Sequence, residues 1–315
     1  MKVSIWTFSL ACVALLSLFA SSSGAQSQSS AVPLGRQRAE MTPEELQESA
    51  AGVGDLEQNA TNNSGGSSDV TTTCEYTFTS GGTGVDPYLQ YCVTVNGNIV
   101  EFESPKGIES IREGIIGEGY GVCDVTKGVG YYDWAEPGAS SNWNAPTTLS
   151  HTATEVKIER TTGDGAWTLT QTITQNAAGG YTRIAMALKN DSSVTKNVYL
   201  MRWASINPDN NANGGKSNLD GTVSSGWSYI PNSGASVTAN KGYGVLLQTV
   251  LPLPKGTTGT SGFGLATLGP VNPCNPTADF DGALNDFDGS VIFLYEIDGI
   301  TKNETVTANV KYTAF

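Results

Sequence analysis

From residue 155 onward the chain alternates apolar and polar residues with a period of two, and this alternation limits the fold more than any other feature. Glu155-Val156-Lys157-Ile158-Glu159-Arg160 runs into a turn at Gly163-Asp164-Gly165. Trp167-Thr168-Leu169-Thr170-Gln171-Thr172-Ile173 then sets Trp167, Leu169, Gln171 and Ile173 on one face, because successive side chains of a strand point to opposite sides. After Gly179-Gly180 the pattern continues over residues 181–188, 197–206, 244–250, 262–268, 290–297 and 305–312. Upstream, Val93-Thr94-Val95 and Asn98-Ile99-Val100-Glu101-Phe102 flank Asn96-Gly97, a pair suited to the positive φ of a type I′ hairpin turn. Glycine is abundant, 37 in the chain, and no long helical period interrupts the strands. Many short strands joined by turns predict antiparallel sheets. The expectation is an all-β fold, one large antiparallel β-sandwich domain over residues 74–315.

The first 25 residues read as a cleavable secretory signal peptide. Lys2 supplies the positive start, residues 5–20 are apolar, and Ser23-Gly24-Ala25 is a small-x-small cleavage signal. That apolar run falls short of the roughly 20 residues a bilayer span needs, and no later stretch is longer. Residues 26–73 are rich in Ser, Gln, Ala, Asn and Gly, too poor in apolar surface to offset the entropy of ordering, and read as a disordered linker or propeptide. Within them, Thr42-Pro43-Glu44-Glu45-Leu46 has the cap, proline and early acids of a short helix. The expected location is secreted, extracellular or periplasmic.

Beyond the leader, four cysteines remain, Cys74, Cys92, Cys123 and Cys274. Three pairings into two disulfides are open. Cys74 and Cys92 bracket adjacent strands, which favours that pair and leaves Cys123 with Cys274. No C-x-x-C occurs, so thiol redox or zinc chemistry has no motif. With 30 acidic against 17 basic residues the chain repels phosphate backbones, and nucleic acid is excluded as a partner class.

Between two strands lies Asn207-Pro208-Asp209-Asn210-Asn211-Ala212-Asn213-Gly214-Gly215-Lys216-Ser217-Asn218-Leu219-Asp220-Gly221. Counted from Asp209, oxygen-bearing side chains fall at the first, third and fifth positions, a glycine at the sixth and Asp220 at the twelfth. This spacing resembles the calcium loops of EF-hands and dockerin-like repeats. The resemblance implies ligands from Asp209, Asn211, Asn213 and Asp220 and the Gly215 carbonyl, since calcium takes 6–8 hard oxygens. It covers a dozen residues only. The twelfth position is shorter than the usual Glu, Lys216 replaces the apolar eighth residue, and no amphipathic helix flanks the loop. With two carboxylates the affinity is expected on the order of 10⁻⁴ to 10⁻³ M. The same residues are also ordinary turn formers. A second cluster, Asp279, Asp281, Asp286 and Asp288, repeats Asp-Phe-Asp-Gly twice. Carboxylates this close favour a cation, although Asp-Gly also marks turns.

Catalytic motifs are absent. One histidine, His151, is present, without G-x-S-x-G, H-E-x-x-H or a phosphate loop. A glycosidase-type carboxylate pair cannot be located among 30 acids. Tyr131, Tyr132, Trp134 and Trp143 cluster in a segment of Gly, Pro, Asn and acids, where exposed rings would stack on sugars while Asp and Asn bind hydroxyls. The alternative is that the tryptophans pin a loop to the sandwich. The leading expectation is therefore a secreted, non-catalytic, calcium-stabilised module that binds glycan or cell-surface material. A carbohydrate-active hydrolase or lyase and a structural surface or matrix protein stand as alternatives. Asn59, Asn62, Asn190 and Asn303 head Asn-x-Ser/Thr triplets, acceptors for N-linked sugar in a eukaryotic source, although such triplets also arise by chance.

Overall fold

The alternating runs fold as strands, seventeen among the described residues. A computed structural model describes residues 74–81, 88–106, 109–111, 118–135, 140–206, 214–217, 223–227, 244–265, 273–274 and 289–314, all within the unit Ala31–Phe315. Residues 1–73, with the expected leader, linker and short helix, and the residues Asp209, Asn211, Asn213, Asp220, Asp279, Asp281, Asp286 and Asp288 lie outside this set. In chain order the strands are β1 (Tyr76–Ser80), β2 (Leu89–Val93), β3 (Ile99–Glu103), β4 (Glu118–Asp124), β5 (Val129–Trp134) and β6 (Ser140–Ser141). There follow β7 (Thr147–His151), β8 (Glu155–Thr161), β9 (Trp167–Asn176), β10 (Tyr181–Asn190), β11 (Lys196–Ile206) and β12 (Gly214–Ser217). The last five are β13 (Val223–Trp227), β14 (Gly244–Thr249), β15 (Thr257–Leu265), β16 (Gly289–Ile300) and β17 (Thr305–Ala314).

The strands form three antiparallel sheets, and no described residue is helical. Eight strands run in the order β12-β13-β14-β17-β10-β9-β8-β7, six in the order β15-β16-β11-β4-β5-β6, and β1-β2-β3 make a small third sheet. The two large sheets form a β-sandwich. In β9 the expected inward face is buried, with Trp167, Leu169, Gln171 and Ile173 each at most 1% exposed. The core joins Val156, Ile158, Leu169 and Ile184 of the larger sheet to Tyr120, Val122, Leu200 and Tyr295 of the smaller, and takes Tyr91, Ile99 and Phe102 from the third. Burying each such side chain stabilises by roughly 1.5–3 kcal/mol.

One sequence expectation needs correction. The hairpin at Asn96-Gly97 does not use a type I′ turn, which would require positive φ at both residues. Gly97 alone has it, at 89°. Its N–H returns to Thr94 O at 3.0 Å, while Thr94 N–H reaches Asn98 O at 2.9 Å, the three-residue loop that places glycine in the left-handed position. The glycine-rich stretch around residue 119 is an internal strand, β4, buried along its whole length. Gly119 is required there because a Cβ would strike the Trp203 ring and the Asp133 carbonyl, the close approach that glycine in a strand allows.

Both disulfides are formed, Cys74–Cys92 and Cys123–Cys274. The first joins the lead-in of β1 to β2. The second anchors Pro273-Cys274 on β4, where Pro273 packs beside Gly121.

Candidate functional site

The interior of the sandwich carries a line of charged and polar side chains. Glu118 at the start of β4 is fully buried and accepts four hydrogen bonds. Arg202 of β11 donates through Nε to Oε1 and through Nη2 to Oε2 at 2.9 Å. Tyr312 OH donates at 2.8 Å and Ile99 N–H at 2.8 Å. Arg202, equally buried, also donates to Gln171 Oε1 at 2.6 Å and to Gly97 O at 3.0 Å. The hairpin tip 94–98 is thereby bolted to both sheets. Burial pushes the Glu118 carboxyl up to about 7, against the opposing pull of Arg202 and the other donors.

The line continues through Asn96. Its carbonyl accepts from Tyr120 OH at 2.8 Å and Gln171 Nε2 at 3.3 Å, and its Nδ2 donates to Asp133 Oδ2 at 3.2 Å. Asp133 of β5 pairs with Arg160 of β8, so this ion pair crosses from one large sheet to the other. Arg160 also donates to Tyr120 OH at 3.2 Å and to Asn144 O at 3.0 Å. Burial would lower the Arg160 pKa, but Tyr120 and Asp133 hold it up. A separate buried pair, Lys196 with Asp124 at 2.8 Å, fixes the far end of β4. Every one of these charges has a partner, the condition under which buried charge is tolerated.

Arg160 links this interior to the surface at Trp143. Residues 142–146 carry the chain from β6 in one large sheet to β7 in the other, and Trp143 bridges to Thr162. Its half-buried ring packs edge-on against Tyr120 at 5.8 Å and Tyr131 at 6.3 Å, with the Arg160 guanidinium 5.7 Å from its centre. Around it stand exposed Asn142 and Asn144. Gly163 N–H binds Asn142 O at 2.7 Å and Asn144 Nδ2 binds Thr162 O at 3.2 Å, which locks the crossover to the β8–β9 turn. Asp164 in that turn receives Tyr131 OH at 2.9 Å and Lys127 Nζ at 3.2 Å. Burial would raise the Asp164 carboxyl, but the Ala166 N–H, the Thr162 and Tyr131 hydroxyls and Lys127 together hold it down at about 2. The result is an indole held by Tyr120, Tyr131 and Arg160, with Asp164 and Lys127 joined to the same cluster through the Tyr131 hydroxyl.

The aromatic segment is therefore divided. Tyr131 and Tyr132 are buried, at 1% and 7% exposure, and so cannot form the exposed platform expected of them; β5 points Tyr131 into the sandwich core and buries Tyr132 on its other face. Trp134 ends β5 opposite Gly119, and its side chain is outside the described set. Trp143 alone of the four is described and partly open. Gly215 lies on β12 opposite Gly226. Among the described residues no group of three or more His, Cys, Asp or Glu is placed to hold a metal. His151 is exposed at the end of β7, its ring 4.8 Å from Tyr76. Sequence reading missed Glu118, Asp133, Arg160 and Arg202; for Arg160 the signal is a charged residue in the apolar phase of an alternating strand, after Val156 and Ile158, whereas Glu118 lies on a strand buried on both faces and gives no such signal.

No family model matches this sequence, and no curated protein matches it. Among solved structures, a bacterial glucoamylase complexed with acarbose is similar at a TM-score of 0.50 with 14% identity, over 79% of this chain and 34% of that one. A putative aldose 1-epimerase from Escherichia coli K12 gives 0.42 with 11% identity, over 76% and 99% of the two chains. A GH36 alpha-galactosidase from Geobacillus stearothermophilus gives 0.33 with 10% identity, over 73% and 38%. The glucoamylase likeness establishes the fold alone, and this chain spans about a third of that protein's length.

Proposed function

We propose that this domain binds carbohydrate at the Trp143 rim and does not cleave it. One observation carries the reading: a half-buried indole, clamped by Tyr120, Tyr131 and Arg160, lies between exposed Asn142 and Asn144 in the chain, with Asp164 bound to the Tyr131 hydroxyl beside it. An apolar ring beside convergent polar groups is what the two faces of a sugar require. The glucoamylase sharing the fold is a complex with acarbose, which makes carbohydrate the ligand class to try first. Against cleavage stand the buried carboxylates Glu118, Asp124 and Asp133, each fixed to a cation and shut from solvent. Calcium held by Asp209, Asn211, Asn213, Asp220 and the Gly215 carbonyl belongs to the same reading, supported by the ligand spacing. Export as a secreted protein fits it too, supported by the leader and the disulfides.

The test is electrophoresis of the full chain through gels containing soluble polysaccharides. Retardation by at least one of them is expected, lost in Trp143→Ala and weakened in Asn144→Ala. Shortening of the polysaccharide during incubation would instead favour the hydrolase or lyase reading. Unchanged mobility in every gel would sink the proposal.

A further inference from the structure

Two Asn-x-Ser/Thr triplets fall on described residues, and the fold treats them oppositely. Asn190, the last residue of β10, is fully buried. Its Nδ2 donates to Val194 O and to Ile300 O, each at 2.8 Å. Its Oδ1 accepts from Ser192 N–H at 3.0 Å and Ser192 Oγ at 2.6 Å. This carboxamide ties the 191–195 loop to the end of β16, with both amide hydrogens in use. A sugar on Nδ2 would take one of those hydrogens and break its bond to Val194 O or Ile300 O, besides needing room for itself in a closed corner.

Asn303 has the opposite setting. It sits in the turn between β16 and β17, where Glu304 N–H returns to Thr301 O at 3.0 Å. Its φ is 60°, a left-handed position that Asn tolerates better than most residues. Lys302, Asn303 and Thr305 are exposed. Glu304 is held to Lys255 and to Thr301 beneath the turn, so the Asn303-Glu304-Thr305 triplet is presented on a fixed surface corner.

We propose that Asn303 is an acceptor for N-linked oligosaccharide in a eukaryotic secretory pathway, and that Asn190 in the same folded molecule is not. The inference rests on reading residues 1–25 as a secretory leader. The donor class is a lipid-pyrophosphate-linked oligosaccharide. The bond from sugar C1 to the pyrophosphate oxygen breaks, a bond from C1 to Asn303 Nδ2 forms, the amide gives up one proton, and the lipid pyrophosphate leaves. A chain modified at Asn190 before folding could not close that corner, so folded molecules carry no sugar there.

The experiment translates the full chain with eukaryotic microsomes and follows two readouts on the same sample. Protease protection reports entry into the lumen. Amidase deglycosylation, which converts each glycosylated Asn to Asp, followed by peptide mass spectrometry, reports the acceptor. The expected result is a protected chain with Asn303 converted and Asn190 unconverted. Conversion at 303 is lost in Thr305→Ala, whose outward side chain leaves the fold intact. A protected chain with Asn303 unmodified, or with Asn190 modified in molecules that resist limited proteolysis after detergent release, overturns the proposal; an unprotected chain overturns the leader reading beneath it.

Discussion

Removing the Arg202 guanidinium from the interior tests how the sandwich is held shut. In Arg202→Met the carboxylate of Glu118 keeps only Tyr312 OH and Ile99 N–H as donors, while Gln171 Oε1 and Gly97 O each lose a donor. Breaking a buried ion pair from one side costs about 3–5 kcal/mol because the surviving charge is left unpaired. For a domain of this size that is a drop in Tm of roughly 6–20 °C, a large part of the ~5–15 kcal/mol that typically holds a native fold. The loss should depend on pH. Burial already raises Glu118 to about 7, and without Arg202 the carboxyl rises further. A carboxyl whose folded pKa lies above its unfolded value loses its stabilising contribution as pH rises through the folded pKa. The gap between wild type and Arg202→Met therefore widens above pH 7. Glu118→Leu with Arg202→Met removes both charges together, and its loss should be smaller than the sum of the single losses by about 0.5–3 kcal/mol. Urea unfolding at constant m-value gives all the values needed. A single-variant loss under about 1 kcal/mol, or strictly additive losses, would refute the claim that this pair locks the hairpin to the sheets.

Three further outcomes are expected. Gly97→Ala destabilises, by about 1–3 kcal/mol in thermal or urea unfolding, because it forces a Cβ onto a φ of 89° and to 2.5 Å from Gln171 Nε2; unchanged stability would mean the hairpin tip yields. Asp164→Asn lowers the melting temperature at neutral pH. Since the folded carboxyl lies below its unfolded value, this contribution is present above about pH 4 and fades as pH falls towards 2, so melts of the two proteins converge on acidification, and a constant gap would contradict it. Calcium in excess over its dissociation constant raises the melting temperature, by up to about 2.7 kcal/mol of stability at 100 times that constant. Asp209→Ala abolishes the rise, and identical melts in calcium and EDTA reduce the loop to a polar turn.

Most of the large strands were legible because burial on one face imposes period two. β8, β9, β10, β11, β14, β16 and β17 overlap the alternating runs, and the polar Gln171 was visible on the inward face of β9. β4 was not legible. It is buried on both faces, which removes the alternation, and its glycines look like loop residues until Trp203 is seen lying across Gly119. β7 has all five residues exposed and shows no apolar phase at all. The interior network was hidden for a related reason. Glu118 and Arg202 are 84 residues apart, and only the antiparallel pairing of β4 with β11 in one sheet brings them together. At the rim, composition marked the aromatic segment, but composition does not say which side of a strand faces solvent. β5 sends Tyr131 into the core and buries Tyr132 on its other face, whereas the crossover after β6 leaves Trp143 at the edge.

Titration calorimetry of the full chain against oligosaccharides cut from whichever polysaccharide retards it would test the central claim most directly. Wild type should bind with measurable heat, and Trp143→Ala should lose roughly 2 kcal/mol, about 30-fold in affinity, as expected for an aromatic at the heart of a contact. Equal affinities in a folded Trp143→Ala would contradict the account and move any sugar site away from this rim.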